Sequence, residues 1–325
     1  MRAYVTQDGQ FKLKEMDEPK VGENEVIVSL KVAGLNRRDL YIPNRVTDKT
    51  TPLIIGSDGA GVIESIGDNV KNVSVGDEVI INPALRWDKN SDAPPKGFDI
   101  LGMPDNGTIA EKLVIAADQV EPKPAYLSWE EAGVLALAAL TGYRALFTKG
   151  QVKKGDTLFV PGAGSGVATY IIQFAKAAGA RVIVTSRSEE KRKQAEKIGA
   201  DLAIDTASDW VKELENETID LAIDSVGRAT FNRSLEVLKQ GGKMVVFGAT
   251  TEDTVDLDIR AFFYGQYKLF GSTMGSREEL QALLKFMEEH QIHPIVGHTF
   301  KLDEADKAFD LLKDSNQFGK IAIQI

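Results

Sequence analysis

A glycine-rich turn is the clearest candidate for binding chemistry in this chain. Glycines stand at 162, 164 and 166, between an apolar run and a helical pattern. Such glycines let backbone N–H groups approach a pyrophosphate at the N-terminus of the following helix. The spacing departs from G-x-G-x-x-G, because Val167 occupies the third glycine position. The residues predicted to contact a pyrophosphate are Gly162, Ala163, Gly164, Ser165, Gly166 and Val167.

The residues after the next predicted strand indicate which dinucleotide this turn would hold. A carboxylate about twenty residues beyond the loop accepts hydrogen bonds from the ribose and selects NAD. This chain has Ser186 and Arg187 there, followed by Lys191. A small hydroxyl and two cations suit a 2′-phosphate, which a carboxylate would repel. The sequence predicts NADP(H), with the alternative that Arg187 and Lys191 are solvated charges at a helix start.

Strands and helices alternate from Thr157 onward, and these elements would position the loop. The alternation predicts a parallel sheet with both faces covered. Ligands of such sheets bind at the carboxyl ends of the strands. Val226 and Gly248 follow the fourth and fifth strands, so we expect them to contact the nicotinamide half of the cofactor. The predicted strands are 157–160, 181–185, 202–205, 221–224, 244–247 and 269–271, and the helices are 167–178, 189–198 and 231–239.

The first third of the chain has a different pattern, with short apolar runs broken by glycines. Val26, Val28 and Leu30 alternate with other side chains, which is typical of a half-buried strand. A length of 325 residues favours two domains. We predict a β-rich domain over 1–123 and 275–325 and a nucleotide-binding domain over 124–274.

Composition excludes several classes of function. The formal net charge of −9 argues against a nucleic-acid partner, because phosphate backbones need a basic surface. The chain has no cysteine, which excludes disulfides and thiolate metal sites. No apolar stretch has the length of a membrane span, and the N-terminus lacks a secretory signal. We therefore expect a cytoplasmic protein that acts on a small molecule.

Motifs along the whole chain resemble those of the medium-chain dehydrogenase/reductase superfamily. They lie at 33–39, 56–62, 75–79, 107–111, 141–143 and 319–320. The resemblance implies an α/β fold, with a β-rich GroES-like catalytic domain and a Rossmann domain built on a doubly wound parallel sheet. It also implies that Thr141 and Lys320 contact the cofactor.

Zinc-dependent members of this superfamily place Cys, His and Cys ligands at positions that correspond to Asn36, Ser57 and Leu137. Leucine has no donor atom, and amide and hydroxyl groups are weak zinc ligands. The four-cysteine structural zinc lobe would fall around 88–97, where this chain has no cysteine. The sequence therefore predicts no metal site, although the flanking residues still resemble those of zinc-type enzymes.

Asn36, Asp39 and Tyr41 match the Asn-x-x-Asp-x-Tyr stretch of the zinc-independent quinone oxidoreductase branch. In that branch the Asn and Tyr line the nicotinamide pocket. Without a metal, hydrogen-bond donors must stabilise the developing oxyanion, so Asn36 and Tyr41 are the candidate catalytic residues. The resemblance implies reduction of quinones or α,β-unsaturated carbonyl compounds by NADPH, with the proton coming from Tyr41 or from water. Tyr41 could instead be a packing residue at the rim of the cleft.

Two other functions stay open at this point. One is a carbonyl reductase related to alcohol and aldehyde dehydrogenases, and the other is a non-catalytic NADPH-binding redox sensor. The resemblance also implies a homodimer that pairs through the last strand of the nucleotide domain, over 267–272.

Overall fold

Short strands dominate the first 122 residues of the computed structural model, which describes residues 1–325. Val26, Val28 and Leu30 are buried on one strand, as their alternation predicts. Ser128 and Glu131 form a capping box that starts a helix. The strands are β1 (Arg2–Gln7), β2 (Gln10–Glu15), β3 (Glu25–Gly34), β4 (Leu53–Ile54), β5 (Asp58–Ile66), β6 (Glu78–Ile81), β7 (Ala84–Leu85), β8 (Asp99–Ile100), β9 (Lys112–Ala116) and β10 (Val120–Pro122). The helices are α1 (Ile42–Arg45), α2 (Trp129–Gly133) and α3 (Ala136–Tyr143).

Strands and helices alternate in the middle of the chain. The elements are β11 (Thr157–Pro161), α4 (Gly166–Ala177), β12 (Arg181–Ser186), α5 (Glu189–Lys197), β13 (Leu202–Asp205), α6 (Trp210–Glu213), β14 (Ile219–Asp224), α7 (Phe231–Glu236), β15 (Leu238–Val246), α8 (Ile259–Tyr264) and β16 (Lys268–Gly271). All six strands are parallel, in the order β13-β12-β11-β14-β15-β16. The order reverses beside β11, and a doubly wound sheet binds its ligand at such a switch point.

The helix predicted over 231–239 is shorter than expected. It ends at Glu236, and β15 begins at Leu238, which is paired with Ile219 of β14. Residues 238–239, which helical periodicity alone placed in the helix, therefore belong to β15 because this strand pairs with β14.

The chain then returns to the β-rich part through α9 (Arg277–His290), β17 (Val296–Lys301), α10 (Ala305–Asp314) and β18 (Lys320–Gln324). These last strands complete a seven-stranded sheet in the order β10-β6-β5-β3-β18-β17, with β9 also paired to β3. Because β18 is antiparallel to the end of β3, Lys320 comes next to the residues that follow β3. None of the helices combines the length and the apolar character needed to cross a membrane.

The polypeptide divides into two units, 1–140 with 275–325 and 141–274. The predicted fold class, a GroES-like domain and a Rossmann-like parallel-sheet domain, is confirmed. The second segment of the first unit begins at 275, the position predicted for the domain boundary, but residues 124–140 group with the first unit instead of the second. The cause is close packing: a Cβ atom on Gly34 would lie 2.7 Å from the carbonyl oxygen of Gly133, so α2 lies directly against β3.

Candidate functional site

The glycine turn of the second unit joins β11 to α4. Gly162 has a φ of +83°, which favours glycine. The N–H groups of Gly162 and Ala163 both donate to the carbonyl oxygen of Thr185, at 3.1 and 2.9 Å. These bonds fix the turn to the end of β12, so the turn is held in shape by the sheet.

The start of α4 offers donors to an anion. Ser165 is the N-cap, and its hydroxyl accepts from the N–H of Ala168 at 3.2 Å. The N–H groups of Gly166 and Val167, the first two residues of the helix, make no hydrogen bond within the chain. A pyrophosphate would accept from these groups, aided by the positive end of the helix dipole. The turn and helix therefore fit the cofactor predicted from sequence.

The predicted 2′-phosphate site lies at the end of β12 and the start of α5. Ser186 is buried and its hydroxyl accepts from the N–H of Ser188 at 3.2 Å, while Arg187 is exposed. A Cβ atom on Gly164 would lie 2.8 Å from Cδ of Lys191, so the lysine stem crosses the glycine turn. Burial and the neighbouring Arg187 guanidinium lower the pKa of Lys191. The positive charges of Lys191 and Arg187 would attract a phosphate dianion.

Two further predicted contacts lie near the same turn. A Cβ atom on Gly162 would lie 3.3 Å from Cγ2 of Val226, so Val226 borders the turn. The N–H of Val226 donates to the buried carboxylate of Asp224 at 2.8 Å, which shapes the loop after β14. Gly248 lies against Ser225 of that loop. The sheet thus brings the ends of β11, β14 and β15 together.

Thr141 is buried in α3, and its hydroxyl contacts the sulfur of Met274 at 3.8 Å. Its cofactor contact stays a prediction.

A buried polar network in the first unit is centred on Asn36, Asp58 and Lys320. The Lys320 ammonium lies 2.6 Å from Oδ1 of Asn36, 3.0 Å from Oδ2 of Asp58 and 2.9 Å from the carbonyl oxygen of Leu35. Nδ2 of Asn36 donates to Oδ2 of Asp58 at 2.9 Å. The other oxygen of Asp58 accepts from the N–H of Leu137 at 2.6 Å. Each of the three side chains is therefore held by at least two hydrogen bonds.

A second set of contacts holds the turn that carries Asn36. The carboxylate of Asp39 accepts from the N–H of Asn36 at 2.8 Å, and burial raises the pKa of Asp39 to about 6. Arg38 donates to Ser57 Oγ at 2.7 Å and to the carbonyl oxygen of Leu101 at 2.9 Å. Asp39 is thus a positioning group for the backbone of Asn36.

The groups at the three zinc-ligand positions do not fit zinc. Asn36 Oδ1 already accepts from a cation, the ammonium of Lys320. Ser57 Oγ is buried, accepts from Arg38 and donates to the carbonyl oxygen of Leu101 at 2.7 Å. The side chain of Leu137 has no atom that can bind a metal, and its backbone N–H donates to Asp58. No group of three or more His, Asp or Glu side chains elsewhere in residues 1–325 is arranged to hold a metal ion.

Tyr41 ends the 3₁₀ helix Arg37–Tyr41 and is 42% exposed. The Arg45 guanidinium lies 6.0 Å from its ring centroid. This exposure fits both a catalytic tyrosine and a packing residue at the rim of the cleft, and the catalytic role of Tyr41 stays a prediction.

A cleft of about 1210 Å³ lies in the first unit. Arg45, Leu85 and Leu101 are among its lining residues. The charged groups of the lining are six carboxylates and two guanidinium groups: Glu25, Asp48, Asp88, Asp99, Asp105, Asp118, Arg45 and Arg86. The cleft is therefore acidic overall.

Sequence reasoning did not identify Asp58 or Arg38 as members of the site. Asp58 lies in the Gly-Ser-Asp stretch where zinc-dependent enzymes carry Gly-His-Glu, and this motif was a usable signal. The pairing of Arg38 with Ser57 and Leu101 depends on packing between distant segments, so no local pattern shows it.

Comparison with known proteins matches both parts of the chain. An alcohol dehydrogenase GroES-like domain model matches residues 22–125, and a zinc-binding dehydrogenase model matches residues 166–289. The acryloyl-coenzyme A reductase of Sulfurisphaera tokodaii is 31% identical over 330 residues, which cover 97% of this chain and 96% of that protein.

Two solved structures extend the comparison. An NAD-dependent alcohol dehydrogenase superposes with a TM-score of 0.94 and 34% identity, over 100% of both chains. The 2-octenoyl-CoA carboxylase reductase CinF, in complex with NADP and 2-octenoyl-CoA, has a TM-score of 0.90 and 26% identity, over 99% of this chain and 87% of that one.

Proposed function

Because this chain belongs to the medium-chain dehydrogenase/reductase superfamily and is an oxidoreductase, we propose that it reduces quinones or α,β-unsaturated carbonyl compounds with NADPH and without a catalytic metal. The nicotinamide ring of the bound cofactor supplies the hydride. The residues of the chain bind and orient the reactants and stabilise the negative charge that develops on the substrate oxygen.

The observation that carries the proposal is the state of Asn36. Its Nδ2 makes one hydrogen bond within the chain, to Asp58, so a second N–H remains to donate to a substrate. The same position carries a metal ligand in zinc-dependent relatives. Hydride transfer to a substrate that is already electrophilic needs only a hydrogen-bond donor to the substrate oxygen. Oxidation of a simple alcohol needs a metal that strongly lowers the pKa of the alcohol.

NADPH as the reductant is supported by Arg187 and Lys191 and by one structural relative. Lys191 lies beside the glycine turn, the Arg187 guanidinium acts electrostatically on Lys191, and no carboxylate follows β12 at the ribose position. The CinF structure contains NADP. The alcohol dehydrogenase relative is NAD-dependent, so the preference of this chain depends on its own residues.

The names of two relatives bear on the substrate class. Both act on acyl-CoA compounds by name. Unsaturated acyl-CoA thioesters are α,β-unsaturated carbonyl compounds, so the proposal covers them as well as small enones and quinones.

A carbonyl reductase or alcohol dehydrogenase activity is the second candidate, favoured by the alcohol dehydrogenase relative. A non-catalytic NADPH-binding sensor is the alternative from another class. The test is an NADPH-oxidation screen against quinones, enones, acyl-CoA enones and aldehydes, with and without a chelator.

We expect turnover of quinones or enones, at a rate that the chelator leaves unchanged, and little oxidation of simple alcohols. Elemental analysis should find no stoichiometric metal. Chelator-sensitive oxidation of ethanol would contradict the proposal and favour the alcohol dehydrogenase. NADPH binding without turnover of any acceptor would favour the sensor.

We also propose a homodimer formed through the edge of the six-stranded sheet. β16 lies at that edge and pairs only with β15. Leu269 of this strand is 42% exposed, and Ile259, Phe263 and Tyr264 of the preceding α8 are exposed as well. An open strand edge with apolar side chains is a pairing surface.

Light scattering at micromolar concentration should give about twice the chain mass of 35.5 kDa. Leu269→Asp should shift the mass towards one chain, because it places a charge at the paired edge. Val211→Asp is the matched control, since Val211 is exposed on α6 of the same unit, and it should stay dimeric. A wild-type protein of single-chain mass would contradict the homodimer.

A further inference from the structure

Lys320 donates to three oxygen atoms in the interior of the first unit. Its acceptors are the carbonyl oxygen of Leu35, Oδ1 of Asn36 and Oδ2 of Asp58, and the residue is 4% exposed. An ammonium group has three protons, so each acceptor takes one. All three protons thus have acceptors within the chain, and the cofactor contact that the family resemblance implies for Lys320 is the alternative that the experiments below distinguish.

We propose that Lys320 is a positioning residue that fixes and polarises the side-chain amide of Asn36. This inference rests on the proposed function, because Asn36 is the catalytic residue through which Lys320 acts. Lys320 touches neither substrate nor cofactor in this assignment.

The first step of the argument is the orientation of the amide. Lys320 can only donate and an ionised Asp58 can only accept. The Asn36 oxygen must therefore face the ammonium, and the nitrogen must face the carboxylate. A flipped amide would place N–H against N–H and oxygen against oxygen. The second N–H of Asn36 is thus held in one direction, as a donor to a reacting oxygen must be.

The second step is electrostatic. A positive charge 2.6 Å from Oδ1 draws electron density towards the amide oxygen. Hydrogen bonds in such a chain polarise one another, so the free N–H becomes a stronger donor. Asp58 balances the buried charge of Lys320 and accepts from both neighbours. The positive charge of Lys320 therefore acts on the substrate through the amide of Asn36, and a side chain of the protein supplies that charge.

Lys320→Met tests the proposal, but it leaves the buried Asp58 carboxylate without its cation and could unfold the protein. Asp58→Asn combined with Lys320→Met removes one charge of each sign and keeps amide donors and acceptors around Asn36. Lys123→Met is the matched control, because Lys123 is also mostly buried in the first unit and pairs with Glu78 at 3.3 Å.

We expect both Lys320 variants to lower kcat for an enone or quinone by about 10- to 100-fold, as loss of an outer-shell partner does in metal sites. The dissociation constant of NADPH, measured by fluorescence, should stay within about threefold of wild type. Added to Asn36→Ala, Lys320→Met should change kcat by less than about threefold, since residues that act as a unit are not additive. Lys123→Met should keep the wild-type kcat.

Three results would overturn the proposal: an unchanged kcat in the charge-neutral double variant, weaker NADPH binding with an unchanged kcat, or losses that multiply with Asn36→Ala. A wild-type enzyme that reduces no acceptor would refute the proposed function instead.

NMR tests the positioning of Asn36 separately from activity. The side-chain amide signals of Asn36 are identified by their loss in Asn36→Asp. Lys320→Met should shift these signals, and unchanged signals would overturn the inference.

Discussion

Replacing Asn36 with alanine should lower kcat for an enone or quinone by about 100- to 1000-fold, the usual effect of losing one oxyanion donor. The physical reason is that the unused N–H of its amide is held in place by Asp58 and Lys320. Steady-state kinetics with NADPH in excess measures this change. NADPH affinity should hardly change, because the glycine turn and the start of α4 are untouched.

Asn82→Ala is the matched control. Asn82 is also buried in the first unit, and its side chain accepts from the N–H of Ala84 at 3.0 Å without joining the Lys320 network. Both substitutions remove a buried amide, so a similar loss of kcat in both would show a general defect in folding. A kcat for Asn36→Ala near the wild-type value would contradict the role of Asn36.

Tyr41→Phe, measured by the same steady-state kinetics, distinguishes the two roles considered for Tyr41, a donor to the substrate and a packing residue. If its hydroxyl donates to the substrate oxygen, kcat should fall by about ten- to a thousandfold. If water protonates the product and the ring only packs, the loss should be much smaller. Tyr126→Phe is the control, because it removes a hydroxyl that donates to the carbonyl oxygen of Ile292 at 3.0 Å.

Local sequence patterns predicted the nucleotide-binding unit well, because its signals are local. The six predicted strands all occur, and the helices predicted over 167–178 and 189–198 correspond to α4 and α5. The short helices α6 and α8 were not predicted, since four and six residues are too few for helical periodicity. Their N-caps, Asp209 and Asp258, were the available signals.

The site in the first unit was only half predictable. Asn36 was found because it occupies a metal-ligand position in related enzymes. Its partner Lys320 is 284 residues away in sequence, and they meet because β18 pairs with the end of β3. Residues 124–140, which we predicted in the nucleotide-binding domain, group with the first unit for a similar reason. The last strand before them ends at Pro122, whereas the unit boundary depends on how α2 packs against β3.

If Arg187 and Lys191 bind the 2′-phosphate as proposed, Arg187→Ala should weaken NADPH binding by about tenfold or more. A hydrogen bond to a charged group contributes about 1.5–3 kcal/mol, and each 1.4 kcal/mol is about tenfold in affinity. NADH lacks the 2′-phosphate, so its affinity should not change. Fluorescence titration of both cofactors measures the two constants. Lys191→Ala should act in the same direction, and the double variant should lose more than either single change.

Lys193→Ala provides the control for charge alone. Lys193 is exposed on the same helix, α5, and pairs with Glu189 at 2.7 Å. The substitution therefore removes one positive charge without removing a proposed phosphate ligand. It should leave both affinities close to wild type. Raising the salt concentration should weaken NADPH more than NADH, because the exposed guanidinium of Arg187 is screened by ions. Equal losses of NADPH and NADH in Arg187→Ala would show that Arg187 supports the turn and does not bind the phosphate.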